Sequence, residues 1–181
     1  MTEEAARVLL MYAVFPLWVA AGLADWACHR RTRIAQTSGL AENAFHWGLF
    51  GQMGLAVLAV GLLQVNAAIL LLVAAAFLAH ELTTYVELRY TVPLRHVGPF
   101  EQMVHSFMEL LPLLVLALLA VPAWDQVLAL VGAGGGPDFS LRLKQEPWPR
   151  GYLLAALAAA VAFNVLPLAE ETVRCWRGRP A

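Results

Sequence analysis

Asp25 and His29, Glu42 and His46, and Glu101 and His105 are three carboxylate–imidazole pairs with one spacing, four residues. On an α-helix that spacing brings both side chains of a pair onto one face. His80 and Glu87 are seven apart, nearly aligned along a helix, with Thr84 between them. Imidazole nitrogen and carboxylate oxygen together suit iron and zinc. Four such faces turned toward one axis would offer eight ligands, enough for two metal ions or for one zinc with supporting acids. Singly, each pair also fits a hydrogen-bonded helix end, and Glu42 near a helix N-terminus is favoured by the helix dipole. Jointly they favour a metal centre over a metal-free polar network or a haem site.

The elements that must carry these residues follow from hydropathy. Of 181 residues, 60% are hydrophobic and only 14% charged, against roughly 45–50% and about 25% in soluble domains. Five apolar runs span residues 8–27, 42–63, 67–88, 100–121 and 151–168, each close to the length that crosses a hydrocarbon layer as a helix. The chain therefore predicts an all-α integral membrane bundle, a single domain over residues 1–181, with five transmembrane helices and a four-helix metal-binding core. Pro16 should bend the first helix. Residues 122–150 contain GAGGGP, EPWPR and the apolar VLALV, which is too short to cross. They read as an extracytoplasmic loop with an interfacial segment, Trp124 and Trp148 sitting at headgroup level. Twelve basic residues against thirteen acids give a net charge of -1, so no nucleic-acid partner is implied.

Adjacent spans alternate in direction, so the end of span one, the start of two, the end of three, the start of four and the end of five share one membrane face. That face takes all five histidines and eight of the thirteen acids. Keeping charge out of lipid explains why ionisable residues sit at helix ends, but not why they crowd one end. Arg30, Arg31, Arg33, Arg89, Arg95, Arg174, Arg177 and Arg179 lie on the same side, against Arg7, Arg142, Lys144 and Arg150 opposite. By the positive-inside rule this side is cytoplasmic, with the N-terminus outside and the C-terminus inside. The start, MTEEAARVLL, lacks a basic signal-peptide region, so the first run is expected to be retained. Cys28 and Cys175 then face a reducing compartment.

Asp25, His29, Glu42, His46, His80, Glu87, Glu101 and His105 are the candidate metal ligands. Glu109, one turn deeper than His105, is the acid expected to support the chemistry. Glu81 points about 100° away from His80 and reads as a supporting acid. His96, between Pro93 and Pro99, reads as a loop histidine; Arg89 and Arg95 as neutralisers of excess acid or headgroup contacts; Glu170 and Glu171 as surface acids opposite Arg174.

The segments ADWACHR, SGLAENAFHW, HELTTYVELRY and FEQMVHSFMELLP, within residues 20–112, resemble a family of small bacterial multi-pass membrane proteins. The resemblance rests on Asp25, His29, Glu42, His46, His80, Glu81, Glu101, His105 and Glu109, and implies a bacterial inner-membrane location. In geometry the pattern also resembles dimetal-carboxylate bundles, although those use Glu-x-x-His and fewer histidines. No phosphate-binding glycine loop, Cys-x-x-Cys, His-Glu-x-x-His or Gly-x-Ser-x-Gly is present. The expected function is a di-iron oxidoreductase with two iron ions, a redox partner, and a membrane lipid or other hydrophobic small molecule as substrate. A zinc-dependent lipid hydrolase is the first alternative and a proton or metal transporter the second, the latter weakened because only Gln52, Gln64 and Asn66 continue toward the far face.

Overall fold

A computed structural model describes residues 1–178; Arg179, counted above among the basic residues, lies outside the described residues. Among those described, six helices account for nearly all regular structure: α1 (Glu3–Thr32), α2 (Gly39–Leu62), α3 (Ala67–Thr91), α4 (Pro99–Ala120), the short α5 (Trp124–Leu130) and α6 (Arg150–Arg177). All but α5 are long and apolar enough to cross a bilayer. Their outward faces carry leucines such as Leu55, Leu78, Leu82, Leu110 and Leu154, all more than half exposed, as lipid-facing surfaces require.

The proline bend expected in α1 takes a specific form. Residues Leu10–Val14 form a π-helical turn just before Phe15 and Pro16. The extra residue accommodates the proline ring, which would otherwise crowd the preceding turn. α6 repeats the device, with a π turn at Val161–Val165 ahead of Leu166 and Pro167. The fifth span also outruns the expected end at residue 168 and continues as one helix to Arg177, which brings Glu171 into the bundle.

Two left-handed residues, Arg33 (φ 55°) and Gly39 (φ 62°), turn the chain between α1 and α2. Asn66 caps α3 by accepting a hydrogen bond from the Ile69 N–H at 3.2 Å and donates to the Ser140 carbonyl at 2.7 Å. The segment after α5 is thereby pinned to the α2–α3 turn, helped by backbone bonds from Gln64 to Arg142 and from Lys144 to Leu62.

Leu10, Val14, Val60, Ile69, Val73, Val115 and Leu118 belong to one apolar core. These lie toward the start of α1 and α3 and the end of α2 and α4, opposite the end where the ionisable residues gather. In lipid, apolar side chains gain little by leaving hydrocarbon for hydrocarbon, so close packing and interhelical hydrogen bonds hold such a bundle. The α1–α6 seam uses both. Asn164 donates to the Val19 carbonyl at 3.1 Å and the Tyr152 hydroxyl to the Met11 carbonyl at 2.7 Å. Gly22 leaves room for Asn164, whose Nδ2 would lie 2.4 Å from a Cβ there.

Candidate metal centre

At the polar end the helices bring together acids and histidines with almost no solvent contact. Asp25, His29, Glu42, Glu87, Glu101 and Glu171 are buried, Glu42 completely. Burying charge without a partner is costly, so the contacts each side chain makes define the site.

His29 stands at the middle. Its Nδ1 lies 3.1 Å from Glu171 Oε2, and its Nε2 faces Asp25 Oδ1 at 3.3 Å, Glu101 Oε1 at 3.4 Å and Glu42 Oε1 at 3.8 Å. Nε2 makes no hydrogen bond to any of them, and Glu101 Oε2 is likewise buried without a partner. A ring nitrogen surrounded by carboxylate oxygens but bonded to none has the environment of a metal ligand. His105 completes this group, its Nε2 lying 2.9 Å from Asp25 Oδ1. Single ligand atoms from Asp25, His29, Glu101 and His105 all fall within 4.8 Å of one another.

His46 forms the neighbouring group. Its ring stacks on that of His29, with centroids 4.4 Å apart and planes 6° from parallel. Nδ1 lies 3.1 Å from Glu171 Oε1, and Nε2 lies 3.9 Å from Glu42 Oε1. Glu42, His46 and Glu87 meet the same 4.8 Å criterion. Glu171 thus takes one histidine on each carboxylate oxygen. Because a carboxylate only accepts, both rings donate through Nδ1–H and turn Nε2 toward the other acids, the arrangement by which a carboxylate orients metal-binding imidazoles.

Two residues that the sequence reading assigned to the membrane surface are therefore central. Glu171 was expected at the surface and is 1% exposed. The usable signal was helical spacing: Asn164, Leu168, Glu171 and Cys175 follow one another at three, four or seven residues and continue the inner face of α6. Arg95 was expected to neutralise acid or meet headgroups, and it does the first from inside. Its guanidinium contacts Glu42 through Nε at 3.1 Å and through Nη2, and Glu101 through Nη2 at 2.6 Å. Burial works against its charge, but these two carboxylates outweigh burial and raise its pKa above the ordinary arginine value. No spacing rule announces a loop arginine between Pro93 and Pro99.

His80 is buried but stands outside the ligand groups, its Nδ1 without a hydrogen-bond partner. It precedes Glu87 by seven residues, which sets it roughly 10 Å deeper along α3. Glu87 instead lies level with the site, held by the Thr91 hydroxyl at 2.7 Å. Glu109 lines the adjoining cavity without joining a ligand group. Glu81 is half-buried, close enough to Glu109 for their charges to interact. His96 is exposed in its loop, and Arg89 lies over the Tyr85 ring at 6.0 Å on the outer surface. Glu170 binds the Trp26 indole N–H at 2.9 Å and pairs with Arg174 at 3.3 Å, a surface role. Cys28 and Cys175 are free thiols.

A cavity of about 520 Å³ runs from this cluster between α1, α2 and α6. His29, His46, His80 and His105 all border it at one end, and Leu62, Trp148 and Tyr152 at the other. On α2 its wall is one helical face, from His46 through Leu49, Met53, Gly54, Val57 and Leu58 to Gly61. Leu58, Leu62, Leu157 and Val161 line it and are also exposed outward, so the cavity opens sideways through the bundle wall.

Comparison with protein-family models, curated proteins and solved structures finds no match for the chain. The likeness to dimetal sites is accordingly one of clustered side chains alone.

Proposed function

We propose that the protein is a metal-dependent membrane enzyme, a di-iron oxidoreductase acting on a hydrophobic molecule held in the cavity beside the metals. The observation that carries this reading is the pair of Nε2 atoms on stacked His29 and His46, both turned toward buried carboxylates with Glu42 shared between them. Asp25, His29, Glu101 and His105 would hold one ion and His46, Glu42 and Glu87 the second, with Glu42 Oε1 between the two Nε2 atoms. Charge supports cation binding. With the histidines neutral, the carboxylates of Asp25, Glu42, Glu87, Glu101 and Glu171 outnumber the Arg95 and Arg174 guanidiniums paired with them, leaving an excess of negative charge that bound cations offset.

Three imidazoles and four carboxylates form a ligand set that suits iron and leaves room for an exchangeable position at each ion. Iron would supply the redox chemistry, with electrons from a separate redox partner. The protein's own part is to orient the ligands through Glu171, to keep the site dry, and to offer Glu109, beside the ligands on the cavity wall, for proton transfer. The arginine distribution supports an orientation with the site at the cytoplasmic face and residues 122–150 outside.

Protein purified without a metal-binding tag and reconstituted with iron should contain two irons per chain, give a coupled-pair Mössbauer signature and consume oxygen. One zinc per chain without iron-dependent oxygen consumption would overturn the proposal and put zinc-dependent lipid hydrolysis ahead, with Glu109 as base to a zinc-bound water.

A further inference from the structure

The cavity is more specific than a greasy hollow. Its α2 wall, from His46 to Leu62, extends roughly 24 Å at the helical rise. A volume of about 520 Å³ along that length gives room for an extended hydrocarbon chain. The lower half of α6 is tied to α2 by Asn43 with Glu171 at 3.0 Å and Trp47 with Thr172 at 2.9 Å. The upper half leans on α1 through Tyr152 and Asn164 instead. Between α2 and upper α6 a slot remains, and Leu58 and Leu157 on its two lips are each about 60% exposed.

Glycine keeps the slot open. A Cβ built on Gly54 or Gly61 would meet nothing within 4 Å, so neither glycine serves contact between helices, and both border the empty space. At the inner end His80 borders the cavity, and its Nδ1 is buried without a side-chain partner. Glu87 and Glu109 also line the cavity, and their carboxylates oppose an anionic head.

We infer that the slot binds a single-chain lipid with a neutral hydroxyl head, entering sideways from the bilayer with its tail along α2 and its head at His80. This deepens the reading of the site as a metal-dependent enzyme and rests on it for the fate of the bound molecule. His80 is then a positioning residue for the head, which accounts for its depth below the ligand groups.

The test uses the full chain in lipid nanodiscs and a hexadecanol probe carrying a diazirine in mid-chain, with labelled peptides mapped by mass spectrometry and metal measured on the same samples. Photolabelling should fall on α2 and upper α6. Gly54→Leu and Gly61→Leu should each cut it about tenfold or more by filling the slot while leaving metal content at the wild-type level. Gly51→Leu, on the same helix but exposed and off the cavity wall, should label as wild type and controls for a leucine in α2. His80→Leu should weaken protection by unlabelled hexadecanol while leaving protection by hexadecane unchanged. Wild-type labelling of the Gly54 and Gly61 variants would overturn the inference, as would protection by palmitate equal to that by hexadecanol. Slot-dependent labelling in protein that takes up no metal would sink the enzyme reading alone and leave the lipid slot standing.

Discussion

His29 and His46, on neighbouring helices, stack their rings 4.4 Å apart and share one acceptor, Glu171. Parallel imidazoles held through Nδ1 from the same side present their Nε2 atoms side by side. That constraint, more than the number of acids nearby, favours two adjacent ions over one.

Glu171→Gln keeps the size of the side chain but replaces one acceptor oxygen with a donor that opposes an Nδ1–H. Iron affinity should fall on the order of 10- to 100-fold, the usual cost of losing a carboxylate that orients ligand histidines. Competition with a graded set of chelators measures it. Unchanged affinity would remove Glu171 from the site's support.

His46→Ala and His105→Ala should each lower bound iron per chain, whereas His96→Ala and His80→Ala should retain it. The first pair contributes atoms to the ligand groups; His96 is exposed in a loop and His80 is set apart along α3. Metal analysis of monodisperse protein is sufficient. Full iron in both His46 and His105 variants, or its loss on replacing His80, would contradict this division.

The contrast between His80 and Glu171 indicates what a linear sequence can reveal about such a site. Four-residue spacing is a property of one helix, and alternating helix direction follows from short connections, so Asp25, His29, Glu42, His46, Glu101 and His105 could be assigned to one end of the bundle before any coordinates. Depth within that end depends on where each helix sits along the bundle axis, which hydropathy sets only loosely. His80 and Glu87 share a face yet differ by two turns. Glu171 and Arg95 were hidden for another reason: each looked like an ordinary membrane-surface charge, and only the unbroken length of α6 and the path of the α3–α4 loop turn them inward.

Arg95→Met should be strongly destabilising in metal-free protein, by about 3–5 kcal/mol, because Glu42 and Glu101 lose their buried counter-charge. Iron loading should recover most of that loss, since the metals neutralise the same carboxylates. Thermal unfolding in detergent with chelator and with iron reads the difference. Equal destabilisation in both states would indicate that the arginine and the metals do not share those acids.

Outside the membrane spans, Ser140, through its hydroxyl and its backbone N–H, and Arg142 hold Asp138 down at about 2. The folded value lies below the ordinary carboxylate value of about 3.9, so its stabilising effect is complete above that value and is lost as pH falls through about 2. Asp138→Asn should speed amide exchange at Gln64, Ala68 and Lys144, whose N–H groups bond to this segment or within its bridge, at neutral pH and much less near pH 2. Exchange followed by mass spectrometry distinguishes the two conditions.

The acceptor shared by His29 and His46 comes from the last helix of the chain. During synthesis the first four long helices therefore enter the membrane with two imidazoles that have no carboxylate to fix their proton positions, facing acids that have not yet met a metal. On the metal-centre proposal, the two stacked imidazoles are fully oriented only once α6 has docked, so the finished site is assembled from the last helix of the chain as well as the first four.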